Sequence, residues 1–274
     1  VNLNKVQTDD ARNYNLNDYL NGTAVVSGQP ISTFYSYKFL GLNPQNGAPM
    51  FDDWEDRWHL LQGKTLDEVV PMILVNSGTR DPKFSGDLNN TFTYKNWSLS
   101  LNFSYSLGSK VRLFEMYGPI INGISAAANV REEFLDRWQV PGDEKYTVYP
   151  LIISPSSPDY EHYRLHYSAP QRAVGPNSGV PAFANNVWQM YDDSDLRVVS
   201  GNYLKLQSLS FSYRLNDRLL RKTPFTQLSI SFNTHNCFTI SAKELRGQDP
   251  SQAGFADAGL SIRPSYTIGL NVSF

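Results

Sequence analysis

Along residues 265–274 apolar and small polar side chains alternate without a break. Tyr266, Ile268, Leu270, Val272 and Phe274 fall on one side, and Thr267, Gly269, Asn271 and Ser273 on the other. A strict period of two predicts a strand with one apolar and one small-polar face. The pattern recurs upstream. Over 86–107, Leu88, Phe92 and Tyr94 share a face opposite Asn89, Thr91 and Thr93. Lys95-Asn96 then predicts a tight turn. On the returning arm Trp97, Leu99, Leu101, Phe103 and Tyr105 alternate with Ser98, Ser100, Asn102, Ser104 and Ser106. A further strand over about 203–215 sets Leu209, Phe211, Tyr213 and Leu215 against Ser208, Ser210, Ser212 and Arg214. The segment 226–238 sets Leu228, Ile230 and Phe232 against Gln227, Ser229, Ser231 and Asn233. Phe34-Tyr35-Ser36-Tyr37-Lys38-Phe39 reads as another strand, and residues 1–6 as the end of one.

The polar faces point to the environment. The wet face of a soluble sheet usually carries Lys, Glu and Arg, whereas these faces carry Ser, Asn and Thr. Small neutral groups suit a crowded or water-filled lumen, and the opposite faces suit lipid. The expected fold is therefore all-β: part of an antiparallel transmembrane barrel, with a soluble or surface-exposed β-sandwich that binds glycans as the alternative. The connections alternate in length, as outer-membrane barrels require. Lys95-Asn96 and 216–225 are short, while about 43–85, 108–200 and 239–262 are long and would be extracellular. These loops carry helical signals. Trp54, Trp58 and Leu61 would share one helical face, Thr65-Leu66-Asp67-Glu68 matches a capping box, and Asn129–Trp138 reads as a helix stopped by Pro141-Gly142.

Bulk composition narrows the classes. The chain has 274 residues and a net charge of -2, so it offers no electrostatic footprint for nucleic acid. Mean hydropathy is -0.40 and no apolar run approaches the ~18 residues of a transmembrane helix, which barrel strands do not need. Aromatics reach 13%, with 16 Tyr and 15 Phe, consistent with aromatic girdles. The single Cys237 excludes an intrachain disulfide. Val1-Asn2-Leu3-Asn4 shows no signal-peptide pattern, so the expectation is either that a signal was removed together with much upstream sequence or that the chain is a fragment.

Several stretches, in order, resemble the C-terminal part of SusC/RagA-type TonB-linked outer-membrane transporters of Bacteroidota. They are Gly41-Leu42-Asn43-Pro44 with Gly47-Ala48-Pro49-Met50-Phe51, then Pro82-Lys83-Phe84-Ser85-Gly86 with Asn89-Asn90-Thr91-Phe92-Thr93-Tyr94-Lys95. Leu135-Asp136-Arg137-Trp138 with Tyr149-Pro150 follows, then Tyr203-Leu204-Lys205-Leu206 with Leu209–Tyr213. Asn236-Cys237-Phe238-Thr239 is similar to the family's NLFT, with Cys replacing the usual Leu, and Gly247-Gln248-Asp249-Pro250 and Phe274 complete the series. The resemblance implies a plugged barrel of about 22 strands, of which residues 1–274 would supply roughly the last six or seven, with plug and TonB box outside this chain. It implies import of an oligosaccharide or peptide, a SusD-like surface lipoprotein as partner, and energy from the TonB complex. It also implies that Tyr266, Ile268, Leu270, Val272 and Phe274 form part of the signal read by the barrel-assembly machinery.

Candidate chemistry is sparse, and no catalytic, cofactor or metal assignment is made. Nucleophile-elbow, P-loop and dinucleotide motifs are absent, and an enzyme is not expected. Asp52, Asp53, Glu55 and Asp56 could gather a hard cation, but acids at a helix start have a simpler role. Asp192, Asp193 and Asp195 pose the same choice. His162 and His166 are four apart, but their Tyr-rich surroundings do not read as a helix. Cys237 beside Phe238 fits a wall residue. For contacts with cargo or lipoprotein the candidates are Trp188, Tyr163, Trp54, Trp58 and Trp138, whose competing role is to pack the loops together.

Overall fold

A computed structural model describes residues 4–7, 14–52, 55–120, 130–152, 187–251 and 263–274. They divide into two compact units, one of Asn4–Arg80 with Lys110–Val199 and the other of Asp81–Ser109 with Ser200–Phe274.

The first unit is built on aromatic packing around short elements. Helix α1 (Leu16–Asn21) opens on a reciprocal cap, in which Asn15 Oδ1 accepts from Asp18 N and Asp18 Oδ2 from Asn15 N. Strand β1 (Thr33–Tyr37) is buried along its whole length and pairs antiparallel with β4 (Leu74–Thr79). The short pair β2 (Gly41–Leu42) and β3 (Pro49–Met50) follows β1. Helix α2 (Leu66–Ile73) begins at the capping box read from the sequence, with Glu68 accepting from Thr65 N at 2.8 Å and Thr65 Oγ1 at 3.2 Å. These donors hold the Glu68 carboxyl below its ordinary range. Strands β7 (Lys110–Arg112) and β8 (Val198–Ser200) form another two-stranded ribbon, and α3 (Val187–Asp192) sends Val187, Trp188, Met190 and Tyr191 into the core. Tyr117 sits at the centre, edge-on to both Phe134 and Tyr191.

The second unit is a five-stranded antiparallel sheet, ordered β11-β10-β9-β6-β5. Its strands are β5 (Phe84–Tyr94), β6 (Trp97–Leu107), β9 (Tyr203–Arg214), β10 (Gln227–Ser241) and β11 (Ser265–Ser273). They follow the alternation seen in the sequence. Lys95 occupies the left-handed region at the β5–β6 turn, and Asn96 fastens that turn to β9 through Arg214. Short helix α4 (Asp217–Leu220), capped by Asn216, occupies the β9–β10 connection. Bulges interrupt β6–β9 pairing at Asn102/Phe103 and β9–β10 pairing at His235/Phe238.

Several expectations need correction. The Phe34–Phe39 strand exists as β1, but it pairs with β4 in a small buried sheet instead of joining the long one. All its side chains are buried, whereas a barrel strand needs one face toward lipid. Residues 4–6 form no strand, and residues 1–3 lie outside the described set. The long sheet thus has five strands among the described residues, not six or seven. The helix expected over Asn129–Trp138 is only a 3-10 turn, Glu132–Asp136. It ends at Arg137, whose backbone is extended. The segment bearing Trp58 is also 3-10, Glu55–Leu60. Trp54, expected on the same face, lies outside the described residues.

Candidate functional site

The site is the long sheet itself, whose strands present two faces in register, with one mixed row, Asn90, Leu101, Leu209, Thr234 and Tyr266, in the middle of the apolar face. One face carries Phe92, Leu99, Phe211, Phe232 and Ile268 in a single cross-strand row. The next row toward the tight turn is Tyr94, Trp97, Tyr213, Ile230 and Leu270. Here the Trp97 and Tyr213 rings lie 4.1 Å apart between centroids, and Phe225 meets Phe274 at 5.2 Å. Toward the other end come Leu88, Phe103, Leu206 and Phe238, then Gly86, Tyr105, Leu204 and Ile240. A Cβ on Gly86 would press into the Tyr105 ring, so glycine lets that ring lie flat across the neighbouring strand. Much of this face is exposed, with Phe92 60%, Ile268 78% and Phe274 84% accessible. That is far more contiguous apolar surface than a water-soluble face carries.

The opposite face is small and polar in the same register. Thr91, Ser100, Ser210, Asn233 and Thr267 make one row, and Thr93, Ser98, Ser212, Ser231 and Gly269 the next. Neighbouring strands are stitched by side-chain hydrogen bonds, Thr91 to Ser100 at 3.0 Å and Ser210 to Asn233 at 2.6 Å. Charge enters near the far end, where Asp87, Ser104, Lys205 and Thr239 share a row. Cys237 is half-buried at the β10 bulge, 3.4 Å from Thr234 Oγ1.

The acidic cluster of the first unit has a structural occupation that the sequence did not disclose. Asp192 is buried and accepts three backbone N–H groups, from Met116 at 2.9 Å and from Tyr117 and Gly118 at 2.8 Å. Asp193 pairs with Arg112 at 3.0 Å. That guanidinium also donates to the carbonyls of Leu20 and Tyr35 and to Ser36 Oγ, joining α1, β1 and the turn after α3. Asp195 takes Lys38 Nζ and Phe39 N, each at 3.0 Å. Burial pushes the Asp192 and Asp193 carboxyls up, opposed by Arg197 and Arg112 respectively. Asp52 is held by Arg57 at 2.6 Å. Among the described residues no three His, Cys, Asp or Glu side chains are arranged to hold a metal ion; His162 and His166 lie outside the described set.

The loop aromatics divide in the same way. Trp138 is 4% accessible, and a Cβ on Gly47 would overlap its indole. The Gly47 and Trp138 motifs are therefore two halves of one contact, with Gly47 in the left-handed region at φ 66°. Trp188, also 4% accessible, donates its indole N–H to Leu151 O at 3.1 Å. Both pack the unit and present no free ring. Trp54 and Tyr163 lie outside the described residues, and Trp58 falls in the 3-10 segment. Tyr146, which the sequence reading passed over, is 91% accessible. It stands beside a shallow recess whose lining includes Leu135, Arg137 and Gln139. Its loop is stiffened by Asp143, which accepts the N–H groups of Gln139 and Val140.

No family model matches the chain. It is 23% identical over 269 residues to the TonB-dependent receptor P3 of Formosa agariphila, a match covering 90% of this chain and 22% of that protein. In fold it is similar to a chain of the RagAB peptide transporter, with a TM-score of 0.55, 14% identity, and 92% of this chain and 24% of the other covered. It is also similar to the RagAB peptide importer in its closed-closed state, with a TM-score of 0.51, 14% identity, and 91% and 24% covered. The chain spans about a quarter or less of the length of the proteins it matches. A sequence match to a TonB-dependent receptor and a fold match to RagAB point the same way: over about nine-tenths of its length the chain is similar to a segment of a TonB-dependent outer-membrane transporter.

Proposed function

We propose that this chain forms part of the wall and loops of an outer-membrane barrel that imports an oligosaccharide or peptide, powered through TonB and partnered by a SusD-like surface lipoprotein. The observation that carries this reading is the two-faced sheet. Its apolar rows face lipid and its Ser, Thr and Asn rows face a water-filled lumen. Dimensions support it. From Trp97 to Tyr105 along β6 is eight steps, about 27 Å at the usual strand rise. A strand tilt of about 40° reduces this to about 21 Å of height, close to the ~25 Å apolar band of outer-membrane barrels. Trp97, Tyr94 and Tyr213 form an aromatic girdle at the tight-turn end, and Tyr105 and Phe238 mark the other. A glycan-binding sandwich would bury the apolar face against a second sheet, which the exposure of Phe92 and Ile268 opposes. Open edges on β5 and β11 would pair with the remaining strands of the barrel, because lipid tolerates no unpaired backbone.

The loops would then offer Tyr146 as an accessible aromatic, among the described residues, for cargo or lipoprotein. The test is a mass-spectrometric inventory of the detergent-extracted protein from its native membrane. The expected result is one assembly holding this sequence, a plug, the earlier strands and a surface lipoprotein. Recovery in the detergent-free soluble fraction would overturn the reading. A related expectation concerns the last residue. Phe274→Ala in the full-length protein should lower the amount of folded barrel in the outer membrane severalfold, since the aromatic end is proposed as an assembly signal and packs on Phe225. Unchanged levels on a heat-modifiability gel would count against that role.

A further inference from the structure

The polar face of the sheet is neutral over most of its area; Asp87 and Arg214 are exposed on it, whereas the charge of Lys205 is covered by the chain itself. Lys205 Nζ lies 3.1 Å from Asp249 Oδ2, with only 5% and 9% of the two side chains accessible. Lys205 belongs to β9, whereas Asp249 follows β10 by eight residues. On leaving β10 the chain therefore turns back over the polar face, near the end where the long connections emerge. The covering segment, residues 242–251, has two sides. Leu245, Gln248 and Pro250 are buried, and Lys243, Glu244 and Arg246 are exposed. Asp249 is prepared for its partner, because its other oxygen accepts Ser251 N at 2.9 Å and Ser251 Oγ at 2.6 Å. Burial alone would push this carboxyl up, but the Ser251 donors and Lys205 outweigh it and hold it below the ordinary range.

Two physical features mark this segment as something other than simple packing. A buried ion pair adds little net stability over an apolar pair of similar volume, yet breaking it leaves an uncompensated charge, and its best-attested use is as a switch or register device. Next to it, Arg246 at φ 45° and Gly247 at φ 86° are consecutive left-handed residues. That conformation is natural for Gly and strained for Arg, as at hinge positions.

We propose that residues 242–251 are a two-position strap, closed on the polar face by Lys205–Asp249 and released about Arg246–Gly247, which sets the width of the cargo path along that face. This rests on the importer reading, in which that face lines the lumen. The gain from closure is bistability: the strap seats Leu245, Gln248 and Pro250 together with the ion pair, and a packed contact of this kind has discrete arrangements, not a continuum.

The test uses the full-length protein in native outer-membrane vesicles, with Cys237→Ser as background. Spin labels at Glu244→Cys on the strap and Ser212→Cys on the polar face report their separation. The expected result is a major short and a minor long distance, with Asp249→Asn raising the long-to-short ratio about tenfold or more. The exchanged pair Lys205→Asp with Asp249→Lys should return it toward the original ratio. A single short distance in all three proteins would overturn the proposal, as would an unchanged ratio in Asp249→Asn. In cells, a cleavable thiol-to-thiol reagent joining Lys205→Cys to Asp249→Cys should abolish uptake of the cargo until it is cleaved. Undiminished uptake after cross-linking would equally overturn it. If instead the unmodified protein shows no TonB-dependent uptake while the distances still switch, the importer reading fails and the strap stands.

Discussion

Leu101→Arg is expected to destabilise the full-length protein in lipid by about 2–4 kcal/mol, and Ser100→Arg by clearly less. The two positions are adjacent in β6, so local strand propensity and distance from the turn are nearly the same. What differs is the face. Leu101 sits in the row with Asn90, Leu209, Thr234 and Tyr266, at mid-height of the apolar face, whereas Ser100 sits with Thr91, Ser210 and Asn233. A guanidinium at the hydrocarbon midplane loses most of its hydration, while one in a wet lumen keeps it. Reversible urea unfolding in lipid vesicles, followed by tryptophan fluorescence, measures both. Equal losses would mean that the two faces share one solvent, and the barrel reading would go with them. A larger loss for Ser100→Arg would invert the faces.

The contrast is sharp because the face assignment was legible from sequence alone. Period-two alternation is a local property, so β5, β6, β9, β10 and β11 were readable to within a few residues, including the Lys95-Asn96 turn. What the sequence did not show was where each strand pairs. Phe34–Tyr37 has the composition of a barrel strand, yet its partner is Leu74–Thr79 in a separate sheet, a long-range choice that no window of the sequence contains. The apparent helix over 129–138 failed for a related reason. Its spacing suits a helix, but Trp138 is drawn instead into the space that Gly47 leaves empty. That contact spans about ninety residues, and tertiary packing overrode local propensity. The bulges at Asn102/Phe103 and His235/Phe238 are likewise silent in the alternation, although each shifts the register of everything beyond it.

The candidate contacts were less legible than the fold, because a sequence reveals which side chains are aromatic or charged but not which are already engaged. Trp138 and Trp188 are large and lie on loops, yet both are interior. Tyr146 had no distinguishing pattern, and only its exposure on a stiff loop singles it out. The aspartates at the end of α3 and just beyond it point in the opposite direction. They look like a solvated or cation-binding patch, yet Asp192 is a buried acceptor for consecutive N–H groups and Asp193 the counter-ion of Arg112.

That occupation of Asp192 gives the second large expectation. Asp192→Ala should destabilise the loop unit by at least about 3 kcal/mol, because each of the three stranded N–H groups would carry the ~1–3 kcal/mol cost of an unmet buried donor. The loss should be local. Amide exchange at Met116, Tyr117 and Gly118 should accelerate by two orders of magnitude or more, while the long sheet keeps its heat-resistant mobility on a gel. Asp192→Asn, which keeps a carbonyl oxygen, should fall between wild type and Ala. The pH dependence has a definite sign. Burial raises the Asp192 carboxyl above its unfolded value, so the folded unit binds the proton more tightly. Its contribution to stability therefore grows as pH falls through the raised folded value, and levels off below the ordinary ~3.9 of the unfolded chain. Asp192→Ala should erase that slope along with the protection. Retention of full amide protection in the Ala variant would show that water or another group replaces the carboxylate, and that Asp192 is dispensable to the loop whose N–H groups it accepts.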